Sequence, residues 1–193
     1  MATTEEIKAL RDETGVSIMQ CKKALEEARG DVEKAKVILR KVSASIASKK
    51  ADRTLGAGIA TAYVHAGGSV VGAVVLGCET DFVSKNDEFV KLAYDIAMHV
   101  AAMNPSFRVR EDVKEKDMEA ARAVFADEVA KVPEAVRTKA LEGKIESYLA
   151  ERVLLQQPFV KDPSINVRQL IESAVQKFGE KIEVVRFERL SVR

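Results

Sequence analysis

Apolar positions along the chain keep a helical period up to residue 46, shift to two near-continuous runs between residues 58 and 77, and return to a helical period from residue 89. The first stretch carries the punctuation of three helices. Thr3-x-x-Glu6 is a capping box ahead of Ile7 and Leu10, and Gly15 supplies the left-handed stop. Ser17-x-x-Gln20 repeats the box, Val16 and Cys21 are placed as a hydrophobic staple, and Gly30 closes that helix after Leu25 and Ala28. Asp31 caps a third helix whose apolar face is Ala35, Ile38, Leu39, Val42 and Ile46. On the second helix Ile18, Cys21 and Leu25 form the inward stripe, which turns Met19 roughly 100° away, beside Lys22 and Lys23. A thioether there suits either an adaptable contact surface or a boundary partly covered by its neighbours. The pattern predicts a three-helix module over residues 1–50, near the lower size limit for an independent fold, with SASIASKKADR as its tether.

Residues 51–193 read as an α+β core. GIATAYVHAGGSVVGAVVLG holds two Val- and Ala-rich runs around Gly67-Gly68, the signal of a β-hairpin. Phe89, Ala93, Ile96, Val100 and Met103 then form a helix stripe with His99 on its flank. Met118, Ala121, Phe125, Val129 and Val132 define another helix, ended by Pro133, and Leu141, Ile145, Tyr148 and Leu149 its successor. The prolines of LLQQPFVKDPS break the pattern before Val167, Leu170, Ile171, Val175 and Phe178 resume it, which predicts a helical hairpin over about 134–178. Its QPFV tip either braces that pair or offers Phe159 to a partner. After Gly179, IEVVRFERL alternates Val185 and Phe187 with Arg186 and Glu188, a half-buried strand expected to join the hairpin in a small antiparallel sheet.

Composition narrows the function. At 193 residues and 47% apolar content the chain can build a core, and its net charge of +1 gives no basic excess for direct nucleic-acid binding. No apolar stretch approaches the roughly 20 residues of a spanning helix, and the acidic N-terminus lacks a secretory pattern. The expectation is a cytoplasmic protein with no membrane partner. Cys21 and Cys78 are far apart without a CxxC motif, so no metal or cofactor is expected and both read as buried small hydrophobes. Neither His65 nor His99 sits near a nucleophile motif.

LRDETGVSIMQCKKALEEARGDVEKA resembles the N-terminal signature of the translation elongation factor Ts family. GCETDFVSKN resembles its second signature, and LLQQPFVKDPSINVRQLI followed by VVRFE its C-terminal region. These matches are collinear and cover nearly the whole chain. The resemblance implies a guanine-nucleotide exchange factor, without covalent chemistry, that binds elongation factor Tu and promotes GDP release. It implies that the first three helices are a ubiquitin-associated-like module gripping the partner's nucleotide domain, with Leu10, Ile18 and Met19 as an apolar receptor and Lys22 and Lys23 as a contacting pair; without the resemblance, that pair reads as a solvated helix face. Here Ile18 stands where the family often has methionine, and Val16-Ser17 where it often has Ala-Gly. It further implies that Thr80, Asp81, Phe82 and Val83 enter beside the partner's magnesium and phosphate site, Phe82 as a wedge, and that His99 faces the partner. Read without the resemblance, Phe82 packs under the following helix and His99 is a helix-flank residue.

Longer members of the family carry two copies of the strand-strand-helix core, whereas this chain shows one hairpin and one further strand. Such a sheet leaves edges and an apolar face that a second copy can cover, so a homodimer is expected, with Val185, Phe187 and Tyr63 as interface candidates. The alternative is that the 134–178 pair folds over the sheet. Two other functional readings stay open: a ubiquitin-like adaptor, which leaves TDFV unexplained, and a small-molecule enzyme built on Cys78, Glu79 and Asp81.

Overall fold

The computed structural model describes residues 2–130 and 133–192; Val132, assigned by spacing to the helix before Pro133, lies outside them. Three helices open the chain: α1 (Thr4–Thr14), α2 (Ile18–Glu27) and α3 (Val32–Lys49). Their starts follow from local chemistry. The Thr3 hydroxyl accepts from the Glu6 N–H while Glu6 Oε2 accepts from the Thr3 N–H at 2.7 Å, and Ser17 and Asp31 cap α2 and α3. Leu10, Val16, Cys21, Ala24, Leu25, Ala35 and Leu39 close a small core between them.

Three expectations for this region are corrected. Ile18 is 59% exposed rather than inward, because it is the first residue of α2 and Val16, just before the helix, fills the space beneath. Val42 points outward; Ser43 takes the inward position, its hydroxyl donating to the Leu39 carbonyl at 3.0 Å and bonding Gln176 Oε1. The stretch read as a tether is helical as far as Lys49 and lies along a later helix, α8 (Val167–Phe178). Its small side chains allow that approach, Ile46 and Ala47 reach the main core, and Lys50 Nζ donates to the Gly179 carbonyl at 2.8 Å.

The main core is a three-stranded antiparallel sheet of β1 (Ala57–Val64), β2 (Val70–Cys78) and β5 (Glu183–Ser191), in the order β1-β2-β5. A single helical turn, α4 (Asp81–Ser84), leads from β2 into α5 (Asp87–Met103), which crosses the inner sheet face. Gly72 makes that crossing close: a Cβ there would lie 2.1 Å from the Ala97 carbonyl oxygen and 2.7 Å from the Ala101 nitrogen. Val74, Leu76, Phe89, Ile96, Val100, Leu154, Val167, Val175 and Val184 fill the interior. Met103, placed on the inward stripe by spacing, is exposed at the last turn of α5.

The helical hairpin is α6 (Glu115–Ala130) with α7 (Glu134–Ala150), not the 134–178 pair expected. Ala121, Ile145 and Leu149 form its own small core, Phe125 meets Tyr148 edge-on, and Lys144 pairs with Glu128 at 2.5 Å. The chain after α7 turns through Leu154–Gln156 into a two-stranded ribbon, β3 (Pro158–Phe159) and β4 (Asp162–Asn166). Phe159 is buried against His99, so this tip braces the core. It delivers α8 to α3 rather than to α7.

A bulge in β5 changes which residues share a face. Val75 pairs with Arg186 and Leu76 with Val184, which leaves Val185 as the extra residue. Val184 and Phe187 pack on the core, whereas Val185 and Arg186 both turn outward. Tyr63 also packs inward, edge-on to Tyr94. The outer sheet face is made instead by Gly58, Ala60, Ala62 and Val64 of β1, Val71, Ala73, Val75 and Gly77 of β2, and Val185, Arg186, Glu188 and Leu190 of β5, Arg186 pairing with Glu188 at 2.9 Å.

Gly72→Ala is expected to destabilise the protein by about 3 kcal/mol, because its methyl group meets backbone rather than a movable side chain. Chemical denaturation checks this; an unchanged midpoint would mean that α5 and β2 can separate freely.

Candidate functional site

Cys78, the last residue of β2, is buried, and the chain then leaves the sheet as Glu79-Thr80-Asp81-Phe82-Val83. One turn of helix does not hold itself together in water, since nucleation fixes several dihedrals for one hydrogen bond. The turn α4 is therefore held from outside. Val83 enters the core. Glu180, just after the left-handed Gly179 that ends α8, accepts from the N–H groups of Glu79 and Thr80, each at 3.0 Å, and from the Thr80 hydroxyl at 2.5 Å. In return, Glu79 Oε1 accepts from the Lys181 N–H at 2.6 Å and pairs with Arg53 at 3.2 Å. The Lys181 N–H, followed by Arg53, holds the Glu79 carboxyl below its usual range.

This frame leaves Phe82 86% exposed, 100° round the turn from the buried Val83. Phe82 does not pack under α5; the interior place beside that helix is taken by Val83 and Phe89. Asp81 pairs with Lys85 across the turn at 2.6 Å, and the Lys85 hydrogen bond keeps its carboxyl below the ordinary range. Cys78 donates its thiol hydrogen to the Thr80 carbonyl at 3.2 Å, and burial, then the Glu180 charge, push its pKa up. A thiol held protonated is a poor nucleophile. The cavity of about 290 Å³ between the opening bundle and β4–α8 is lined by neither Cys78, Glu79 nor Asp81. Among the described residues no group of three His, Cys, Asp or Glu side chains is arranged to hold a metal ion, and no helix is long and apolar enough to cross a membrane.

The candidates on the opening bundle separate into two groups. Met19 is 82% exposed and, with Ile18, Lys22 and Lys23, shares one outward face of α2, spaced at i, i+3 and i+4. Leu10 is only 1% exposed and belongs to the core of the bundle, so it supports this face from beneath and offers no contact surface.

His99 is corrected in the same way. It is fully buried, with Nε2 at 2.9 Å from Gln157 Oε1 and Nδ1 accepting from the Val160 N–H at 3.2 Å. That bonding selects the neutral tautomer protonated at Nε2. Gln157, also buried, spends its amide on the carbonyls of Met103 and Glu151. The pair ties α5 to the β3–β4 tip and faces no partner.

Residues that the periodicity of the chain did not reveal are Glu79, Glu180, Arg53, Lys181 and Lys85. Glu180 reaches Glu79 across 101 residues, and a glutamate in a polar loop carries no local signal of such a partner.

The site is thus an apolar side chain presented on a braced turn, in an α+β protein that also presents a second apolar and basic face on α2. Comparison with known proteins assigns such a chain to a family. The sequence profile described as Elongation factor TS matches residues 5–193. The chain is 45% identical over 190 residues to the elongation factor Ts of Herpetosiphon aurantiacus, covering 97% of this chain and 96% of that protein. It is 45% identical over 186 residues to that of Thermotoga neapolitana, covering 96% and 94%, and 43% identical over 194 residues to that of Carboxydothermus hydrogenoformans, covering 100% and 89%. The chain belongs to the elongation factor Ts family, a family of translation factors.

Burial holds the His99 pKa below its ordinary value near 6.5. As pH falls through that value the unfolded chain binds a proton that the native state resists, so this contribution to stability is present at neutral pH and shrinks on acidification. The stability of the wild type relative to His99→Gln is expected to decline between about pH 7.5 and about pH 5.5. Denaturant titrations at several pH values check this; a constant difference contradicts a buried neutral imidazole.

Proposed function

We propose that the protein is a guanine-nucleotide exchange factor that binds elongation factor Tu and promotes GDP release. The opening bundle, as the family's ubiquitin-associated-like module, docks on the partner's nucleotide domain through Ile18, Met19, Lys22 and Lys23. The turn then presents Thr80, Asp81 and Phe82 beside the magnesium and phosphate site, with Phe82 as the wedge, while Val83, expected there too, stays in the core as its anchor. Magnesium and backbone amides clamp the β-phosphate, so displacing that clamp lowers the barrier to release. A thousandfold acceleration needs only about 4 kcal/mol. No bond is made or broken.

The observation that carries this reading is Phe82 itself, exposed on a turn whose every other anchor is satisfied. Burying a phenylalanine contributes about 1.5–3 kcal/mol, and here that contribution is left for a partner to supply. The adaptor reading gives Phe82 no role. The enzyme reading needs a reactive group, and Cys78 is a protonated, buried thiol.

Release of a fluorescent GDP analogue from elongation factor Tu, with and without the protein, tests the function. Replacing Asp81 and Phe82 with Ala is expected to lower the saturating release rate at least about tenfold, ~1.4 kcal/mol, with little change in half-saturating concentration. Equal losses of rate and affinity would count against a wedge. Met19→Asp is expected to do the reverse, weakening docking by roughly 2 kcal/mol while far-ultraviolet circular dichroism stays unchanged, since the residue is exposed. Lost helicity in that variant would return Met19 to the core.

The same reading includes a homodimer formed by the outer sheet face. The small residues of β1 and β2 give it a flat apolar surface, Val185 and Leu190 add larger side chains at the β5 edge beside the Arg186–Glu188 pair, and α4 and α5 pack on the inner face. Because Phe187 and Tyr63 face inward, the interface reading rests on Val185, joined by Leu190 and Val64. Light scattering at micromolar concentration is expected to give about twice the 21.2 kDa chain mass, falling to one chain with Leu190→Asp. A wild-type mass of one chain that persists as concentration rises would refute the dimer.

A further inference from the structure

The backbone that carries Phe82 lies between the end of β2 at Cys78 and the start of β5 at Glu183, a gap in which the sheet's ladder has stopped. Four polar groups there would otherwise lack protein partners: the N–H groups of Glu79, Thr80 and Lys181, and the Thr80 hydroxyl. Two carboxylates satisfy all four. Glu180 takes the Glu79 and Thr80 amides and the Thr80 hydroxyl, and Glu79 takes the Lys181 amide. Each glutamate thus grips the backbone of the other's segment, in place of the ladder hydrogen bonds a continuing strand would make.

The clamp is itself fixed in place. Gly179, with φ 72°, turns the chain out of α8 so that Glu180 follows at once, and Lys50 at the end of α3 donates to the Gly179 carbonyl. Arg53 holds Glu79 from the other side. A Cβ at Gly56 would lie 2.7 Å from the Glu79 carbonyl oxygen, so the segment before β1 also presses on this corner. These contacts fix Glu79 and the Gly179–Lys181 segment, Glu180 carries that order to Thr80, two residues before Phe82, and none of them is made by Phe82.

From this we infer that Glu180 is a positioning residue for exchange: by holding Thr80 it presets the direction in which Phe82 leaves the surface, so that the wedge meets its partner already ordered. The inference rests on the wedge reading of Phe82 given above. Without Glu180, the Glu79 and Thr80 amides and the Thr80 hydroxyl would lose their partner, and the turn, left with Val83 in the core, the Cys78 thiol on the Thr80 carbonyl and Glu79 on the Lys181 amide, would sample more backbone states, so each encounter would have to order it before Phe82 could enter. The loss would fall on the release step, because the docking residues are exposed on α2, whose buried face belongs to a separate hydrophobic cluster.

The test compares Glu180→Ala, Thr80→Val, Phe82→Ala and the Phe82→Ala/Glu180→Ala double variant in fluorescent-GDP release from elongation factor Tu, reading saturating rate and half-saturating concentration separately. Glu180→Ala is expected to lower the saturating rate about fivefold with half-saturation within about twofold, Thr80→Val to lower it in the same direction, and the double variant to match Phe82→Ala alone. Amide exchange followed by NMR is expected to show lost protection at Glu79 and Thr80 in Glu180→Ala. Should Glu180→Ala disturb the fold, Thr80→Val carries the comparison from the other side of the same bonds. Slow release by Phe82→Ala beside wild-type rates for Glu180→Ala and Thr80→Val would overturn the positioning role and leave the wedge standing. A further slowing by Glu180→Ala in the Phe82→Ala background would also overturn it, showing that Glu180 acts by another route. A wild-type rate for Phe82→Ala would remove the wedge reading and this inference together.

Discussion

The packing of β2 against α5 is the contact on which the rest depends. The two elements are joined by only the α4 turn, and Gly72 lets them close until backbone meets backbone at Ala97 and Ala101. Protein interiors are packed densely enough that such a contact allows few alternatives. Its consequence is that the connection between them is stretched over a fixed corner. Whatever side chain occupies the outward position of that corner is displayed at a set height above the surface, and here it is Phe82.

A second feature follows from α3. As an 18-residue helix it is longer than a self-contained bundle needs, and its C-terminal half belongs to the seam with α8. Ser43 bonds Gln176, Ile46 and Ala47 enter the main core, and Lys50 ends on Gly179. The face of α2 and the turn of α4 are therefore presented by parts of one continuous packing arrangement. The two-surface contact proposed above would benefit from that rigidity, since a flexible tether would leave more ordering to be done on binding.

Local chemistry was the legible part of this chain. The capping residues Thr3, Ser17 and Asp31, and the stops Gly15 and Gly179, act within one helical turn, so spacing alone located them. Long-range pairing was not legible. Periodicity identified α6, α7 and α8 as helices but not that α7 joins α6, because an apolar stripe does not name its partner. Ser43 read as a polar tether residue because Gln176 lies 133 residues away. One extra residue in β5 put Val185 and Phe187 on opposite faces, a change that an alternating pattern conceals. At the site, the family resemblance singled out Phe82 and Met19, and both are exposed; it also singled out Leu10 and His99, and both are buried. A hydrophobic residue near a contact surface can serve it from beneath, and sequence position does not distinguish the two cases.

On the proposed function, this protein and GDP oppose one another on a shared partner. Thermodynamic linkage then requires that GDP weaken the partner's hold on this protein by the same factor by which this protein weakens its hold on GDP. Isothermal titration of the protein into elongation factor Tu, once nucleotide-free and once saturated with GDP, measures that factor directly. Markedly weaker binding to the GDP form is expected, by the ratio found in the converse GDP titration; equal affinity for the two forms would rule out exchange by this route.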